Sequence, residues 1–327
     1  MKNDAGRSAS EPRLVAKSSW SIRDLDRLYA PDWRHPNKRH IFERVQTRRR
    51  QHSGQVRVSR WRRPSALPSS VKCSSVTLRR GWMEYPAEAP SRGSVRWHLN
   101  FADPMLFVAA AGPLLAQDEH QVVEHPRLAS LALAMKSATS SCRGMSPRTV
   151  DAGGPTPILI EGVHRECDLD LSSGLYGNAF ARASLDEVND SLSILRGPTL
   201  SNILAVSALP PERGNYTRDQ IRWLFTAAFT AFRAAVLTSG SSVVVHTGLW
   251  GCGVFGGNRV LLPAIQFLAA GSAQVKELIF SAGMHERSLE RAQSALNLAD
   301  RLSETCTEEA LLKLHSMKFQ WGVGDGN

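Results

Sequence analysis

Residues 243–270, VVVHTGLWGCGVFGGNRVLLPAIQFLAA, constrain this chain more than any other stretch. Three consecutive valines among apolar neighbours read as a strand buried on both faces, as in the middle of an α/β sheet. Gly248, Gly251, Gly253, Gly256 and Gly257 follow, and an apolar helix is expected to open at Asn258. Glycine lets a loop take positive φ and bring its N–H groups close to a ligand, while a helix N-terminus adds partial positive charge at the same point. A phosphate or diphosphate suits such a loop. Ordinary turns also use glycine, so a plain strand-to-helix connection stands beside that reading. No Gly-Lys-Ser/Thr follows, which excludes a P-loop, and the G-x-G-x-x-G frame from Gly251 to Gly256 sits late in the chain.

Strands and helices alternate around this stretch. The pattern predicts strands over 94–101, 158–163, 202–209 and 277–280. A capping box at Thr217 and Gln220 starts a helix running to about Leu237, and helices over 287–302 and 308–317 close the chain. That order is an α/β layered domain without internal repeats. Residues 174–180 are rich in turn formers, and there Tyr176 and Phe180 are either plain core residues or a stacking place for a ligand base.

Charge is unevenly spread. Residues 1–80 hold 20 Lys+Arg against 6 Asp+Glu, a net of +14, whereas residues 81–327 hold 20 against 24, a net of −4. The basic part contains Arg48-Arg49-Arg50 and Arg60-Trp61-Arg62-Arg63, lacks sustained periodicity, and is punctuated by Ser and Pro over 64–70. This predicts a poorly ordered or loosely attached basic N-terminal extension over 1–80 and one domain over 81–327. Such an extension would bind nucleic acid or another polyanion, with Trp20, Trp33 and Trp61 for stacking, or would be a solvated basic face. No apolar run of 18 residues and no signal-like start are present, so no membrane partner and a cytoplasmic location, or a nuclear one in a eukaryote, are expected. Five cysteines without a C-x-x-C pair suggest free thiols rather than a disulfide framework or a zinc site.

A second motif lies upstream. After the strand ending in Phe101-Ala102-Asp103 and an apolar loop comes Gln117-Asp118-Glu119, where a helical stretch begins. Neighbouring backbone N–H groups could hold these acids for chemistry; a helix that simply favours acids in its first turn explains them too.

Taken together, the two motifs resemble the poly(ADP-ribose) glycohydrolase family. Residues 247–257, TGLWGCGVFGG, agree at nine of eleven positions with that family's usual diphosphate loop, T-G-N-W-G-C-G-A-F-G-G. Phe101-Ala102-Asp103 and Gln117-Asp118-Glu119 stand where the family has Phe-Ala-Asn and Gln-Glu-Glu. The resemblance implies a three-layer α/β/α macrodomain-like fold with a mixed central sheet. It implies hydrolysis of the ribose–ribose O-glycosidic bonds of poly(ADP-ribose), with Glu119 as general acid/base and Asp118 and Asp103 orienting the scissile ribose. Gln117, Thr247, Gly248, Trp250, Gly251, Cys252, Gly253, Val254, Phe255, Gly256 and Gly257 would bind the ligand. ADP-ribose or its polymer on modified proteins would be the partner, with neither metal nor cofactor. One departure matters: Phe107-Val108-Ala109 replaces the family's triple glycine, and bulky residues resist positive φ. That replacement is expected to close the substrate side. A non-catalytic reader of ADP-ribose and a nucleic-acid binder acting through residues 1–80 are the alternative functions.

Overall fold

A computed structural model of the chain describes residues 8–48, 53–86, 93–137 and 145–324. Arg49, Arg50 and Cys142 lie outside the described residues.

The strands in chain order are β1 (Arg13–Ser21), β2 (Gln55–Arg62), β3 (Val76–Arg79), β4 (Ser94–Ala102), the two-residue β5 (Val150–Asp151) and β6 (Gly154–Pro155), β7 (Ile158–Leu169), β8 (Leu192–Ser207), β9 (Ser242–Gly248) and β10 (Glu277–Ser281). The helices are α1 (Ile22–Leu28), α2 (Pro36–Arg48), α3 (Gln117–Glu124), α4 (Arg127–Ser137), α5 (Asn178–Arg182), α6 (Leu185–Ser191), α7 (Arg218–Ser239), α8 (Leu261–Ser272), α9 (Glu286–Leu302) and α10 (Thr307–Ser316). Eight strands form one sheet in the order β1-β2-β7-β8-β4-β9-β10-β3. From β8 to β3 neighbours run parallel, whereas β1, β2 and β7 pair antiparallel, so the sheet is mixed. Alternation along each strand serves two cores: Leu204 and Val206 of β8 pack with α7, α8, α9 and α10, while Ile203 and Ala205 face α1, α3 and α4. The result is the expected three-layer α/β/α arrangement.

Helix α7 is long and apolar enough to cross a bilayer by length and composition, yet 67% of its apolar window is buried within the protein. Thr217 caps it and Gly240, at φ +61°, ends it.

The N-terminal expectation needs correcting. Residues 13–79 supply three strands of the main sheet. Charged side chains lock them in place: Arg127 of α4, buried, binds both carboxylate oxygens of Asp26 at 2.9 and 3.0 Å. Arg60 and Arg62 share Asp151 at 3.2 and 3.0 Å, and Arg57 meets Glu161 at 3.3 Å. Trp33 and Trp61 are buried, so they present no stacking face. Net charge is a poor guide to attachment when the acids that balance it lie elsewhere in the sequence. No boundary falls at residue 80, since β3 ends at Arg79 inside the sheet and Gly81 pairs with Gly283.

Candidate active site

Strands β8, β4, β9 and β10 run parallel, so their carboxyl ends meet at one edge, the usual place for a ligand in such sheets. There lies a cavity of about 530 Å³, within the range of small-ligand pockets. Both sequence motifs line it: Phe101, Asp103, Gln117, Asp118 and Glu119 on one side, and Thr247 through Phe255 on the other.

The carboxylates are held from several directions. Gln117, the first residue of α3, accepts from the Phe101 N–H at 2.8 Å and donates to the Leu99 carbonyl at 3.1 Å, fastening α3 to the end of β4. Asp118 accepts from Asn100 Nδ2 at 2.8 Å through Oδ1, while its Oδ2 is buried without a hydrogen-bond partner. One oxygen of Glu119, Oε2, takes the Ala116 N–H at 3.0 Å. Both acids are buried, and burial pushes both carboxyl groups above their ordinary range. For Asp118 the neighbouring Glu119 charge adds to the rise; for Glu119 the Lys38 ammonium and backbone N–H groups oppose it. Asp103 is raised by burial alone. A raised carboxyl pKa favours the protonated form that a general acid requires.

Side chains tie the glycine loop to β8 and α8. Thr247 is buried and donates to Gln266 Oε1 of α8 at 2.6 Å, and Gln266 Nε2 returns to the Gly248 carbonyl at 3.1 Å. Trp250, also buried, donates from Nε1 to Val206 at 2.9 Å, pinning the loop to β8. Gly248 is required by packing: a Cβ there would lie 2.7 Å from the Ser281 carbonyl of β10. Among the described residues, the N–H groups of Gly253, Val254 and Phe255 find no protein acceptor. Three consecutive free donors on a cavity wall form an anion-binding concavity.

Two expectations about this loop change. Helix α8 begins at Leu261, not at Asn258; Asn258 Oδ1 instead accepts from the Val260 and Leu261 N–H groups, each at 3.0 Å. The helix end is thus capped by its own chain, and the donors left for a ligand belong to the loop. Gly256 and Gly257 do not line the cavity. A Cβ on Gly256 (φ +61°) would lie 2.8 Å from Gly324 N, and one on Gly257 2.5 Å from the Gly251 carbonyl. Behind the loop runs the C-terminal tail: Gly322 N–H reaches the Gly256 carbonyl at 2.7 Å, Asn258 Nδ2 the Gln320 carbonyl at 2.9 Å, and Trp321 stacks on Tyr216, whose hydroxyl accepts from Asn258 N–H.

Nor does the replaced triple glycine close the site. Phe107 takes the left-handed conformation, φ +54°, and its ring is buried in the core on the α4 side of the sheet. Burying a phenyl ring contributes roughly 1.5–3 kcal/mol, enough to offset the ~1–2 kcal/mol of left-handed strain. Val108 points to solvent and only Ala109 lines the cavity. Of the two aromatic candidates, Phe180 is core, whereas Tyr176 lines the cavity and stacks on Trp82 at 4.7 Å. Trp82, Arg259 and Lys38 were missed from the sequence: Lys38 lies in the segment read as an extension, Trp82 just past its boundary, and Arg259 directly after the motif that drew attention. Gln266 had a visible signal, a lone amide in an apolar helix.

A mixed α/β/α sheet thus carries a glycine loop on one side of the cavity and a buried carboxylate pair at the start of α3 on the other. Residues 159–290 match the family model described as poly(ADP-ribose) glycohydrolase, macro domain fold, so this stretch of the chain is similar to that family. The match includes the glycine loop and stops short of α3. Among solved structures, poly(ADP-ribose) glycohydrolase from Thermomonospora curvata is similar at 13% identity over 86% of this chain and 85% of its own, with a TM-score of 0.44. The Deinococcus radiodurans protein in complex with ADP-ribose is similar at 14% identity over 87% and 95%, also with a TM-score of 0.44. Those are distant likenesses.

Proposed function

We propose that this protein hydrolyses ribose–ribose O-glycosidic bonds in poly(ADP-ribose), with Glu119 as general acid/base. The observation that carries this is one cavity lined both by a buried carboxyl pair, whose pKa values burial raises, and by three free backbone donors suited to a diphosphate. Glu119 gives its proton to the glycosidic oxygen as the bond from the anomeric carbon to that oxygen breaks. The electron pair leaves with the departing ribose hydroxyl, and the anomeric carbon becomes oxocarbenium-like. Water then attacks that carbon and returns a proton to the Glu119 carboxylate. Asp118, braced by Asn100, and Asp103 orient the ribose hydroxyls and stabilise the positive charge. Placing the diphosphate on Gly253–Phe255 fixes the ribose against Glu119, so binding and chemistry fall on different elements.

The test is turnover of labelled polymer by wild type and Glu119→Gln. The amide keeps the shape but has no transferable proton, so the rate should fall by roughly 10² to 10⁴ while ADP-ribose binding survives. A variant that hydrolyses polymer at the wild-type rate sinks the assignment of Glu119. Binding without turnover in the wild type makes the protein a reader of ADP-ribose instead.

A further inference from the structure

We propose that Lys38, on the first turn of α2, is a positioning residue for Glu119: its ammonium staples the loop in front of the carboxylates and balances their charge. This rests on the reading of Glu119 as the proton donor. Lys38 is 1% exposed, and its Nζ donates to the carbonyls of Ala110 at 2.8 Å and Leu114 at 2.6 Å. His35, the residue just before α2, adds a third bond to this loop, its N–H to the Ala111 carbonyl at 3.2 Å. Asn37 fastens the turn to α5 through the carbonyls of Phe180 at 2.8 Å and Ala183 at 2.9 Å. At and beside these anchors Ala109, Leu114 and Ala116 form cavity wall, and Ala116 supplies the N–H that holds Glu119. Lys38 itself does not line the cavity, so it acts through the loop and through space.

A buried ammonium is costly unless its charge is answered. Two carbonyl dipoles answer it directly. No carboxylate among the described residues lies within ion-pair distance, yet Glu119 and Asp118 both attract the charge from further off. Burial lowers the Lys38 pKa to about 8, with those two carboxylates pulling it back up. The effect is mutual: the Lys38 charge is the first influence opposing the burial-driven rise of Glu119. The other titratable groups facing this arrangement are Asp103, beyond β4, which raises both carboxyls, and His35, whose pKa burial and then Lys38 lower. The loop that lost its glycines is therefore fixed by a side chain from a distant part of the sequence.

Lys38→Gln retains amide donors for the two carbonyls without the charge, and Lys38→Met removes both. Carboxyl ¹³C titration of the full chain, with the Glu119 signal assigned by its absence in Glu119→Gln, reads the charge effect independently of catalysis. In Lys38→Gln the Glu119 titration should move up by about one pH unit, and the alkaline limb of kcat/KM should move with it. ADP-ribose affinity should stay within about threefold, whereas Lys38→Met should also weaken it. Lys38→Arg should leave the titration near its wild-type position, and it replaces Lys38→Met if that variant does not fold. A folded Lys38→Gln whose Glu119 titrates as in wild type overturns the proposal. A wild type that binds ADP-ribose without hydrolysing polymer refutes the proposed function instead, and the titration still decides the role of Lys38.

Discussion

Gly256 and Gly240 allow the support of the diphosphate loop to be measured, because they share one positive φ and differ in surroundings. Both sit at φ +61°; a Cβ on Gly240 would meet nothing within 4 Å, whereas one on Gly256 would lie 2.8 Å from Gly324 N and 3.1 Å from Gly322 O. Gly240→Ala should therefore cost only left-handed strain, about 1 kcal/mol. Gly256→Ala carries that strain and a clash with backbone, which cannot swing aside as a side chain does. The tail must lift. Lifting it forfeits the 2.7 Å Gly322–Gly256 hydrogen bond, about 1 kcal/mol, and loosens the Trp321–Tyr216 stack at 4.2 Å, about another 1 kcal/mol. The expected loss is about 3 kcal/mol against about 1, measured by urea unfolding. In calorimetry, ADP-ribose affinity should fall about tenfold in Gly256→Ala, or 1.4 kcal/mol, as the Gly253–Phe255 donors shift, and hold in Gly240→Ala. Equal destabilisation of the two variants would refute the idea that the tail braces the loop.

Gln266→Leu should cost roughly 1–3 kcal/mol in urea unfolding, because it strands the buried Thr247 hydroxyl and Gly248 carbonyl, and ligand affinity should drop with it. His125 is buried with Nδ1–H donated to the Gln121 carbonyl and Nε2 beside Ser201 Oγ, and burial lowers its pKa to about 3. Its folded pKa lies below the unfolded value, so its contribution is present above pH 6.5 and lost as pH falls, about 2 kcal/mol by pH 5. His125→Gln, which keeps both hydrogen-bonding roles, should flatten the fall in unfolding free energy between pH 6.5 and 5; an unchanged slope would show that another group titrates. Asp118 and Glu119, with raised pKa values, act with the opposite sign, so the comparison must be between variants rather than against pH alone.

By itself the sequence determined the layered α/β order, because buried strands and amphipathic helices carry their periodicity locally. It also determined the site's two halves: glycines at fixed spacing and Gln117-Asp118-Glu119 at a helix start are local signals, and both line the cavity. Only the tertiary structure decided what holds those halves in place. Lys38, the Gln266 amide and the C-terminal tail act across 72, 18 and 66 residues of sequence, between Lys38 and Ala110, Gly248 and Gln266, and Gly256 and Gly322. Contacts at such separations leave no periodic trace. The same reason explains the misjudged N-terminus, where charge counted along the sequence suggested a loose extension and Asp151, Glu161 and the carboxylates of α3 supply the balance in space. Phe107 shows the limit from the other side: its left-handed φ is unfavourable locally, and a core that does not exist until the chain folds is what stabilises it.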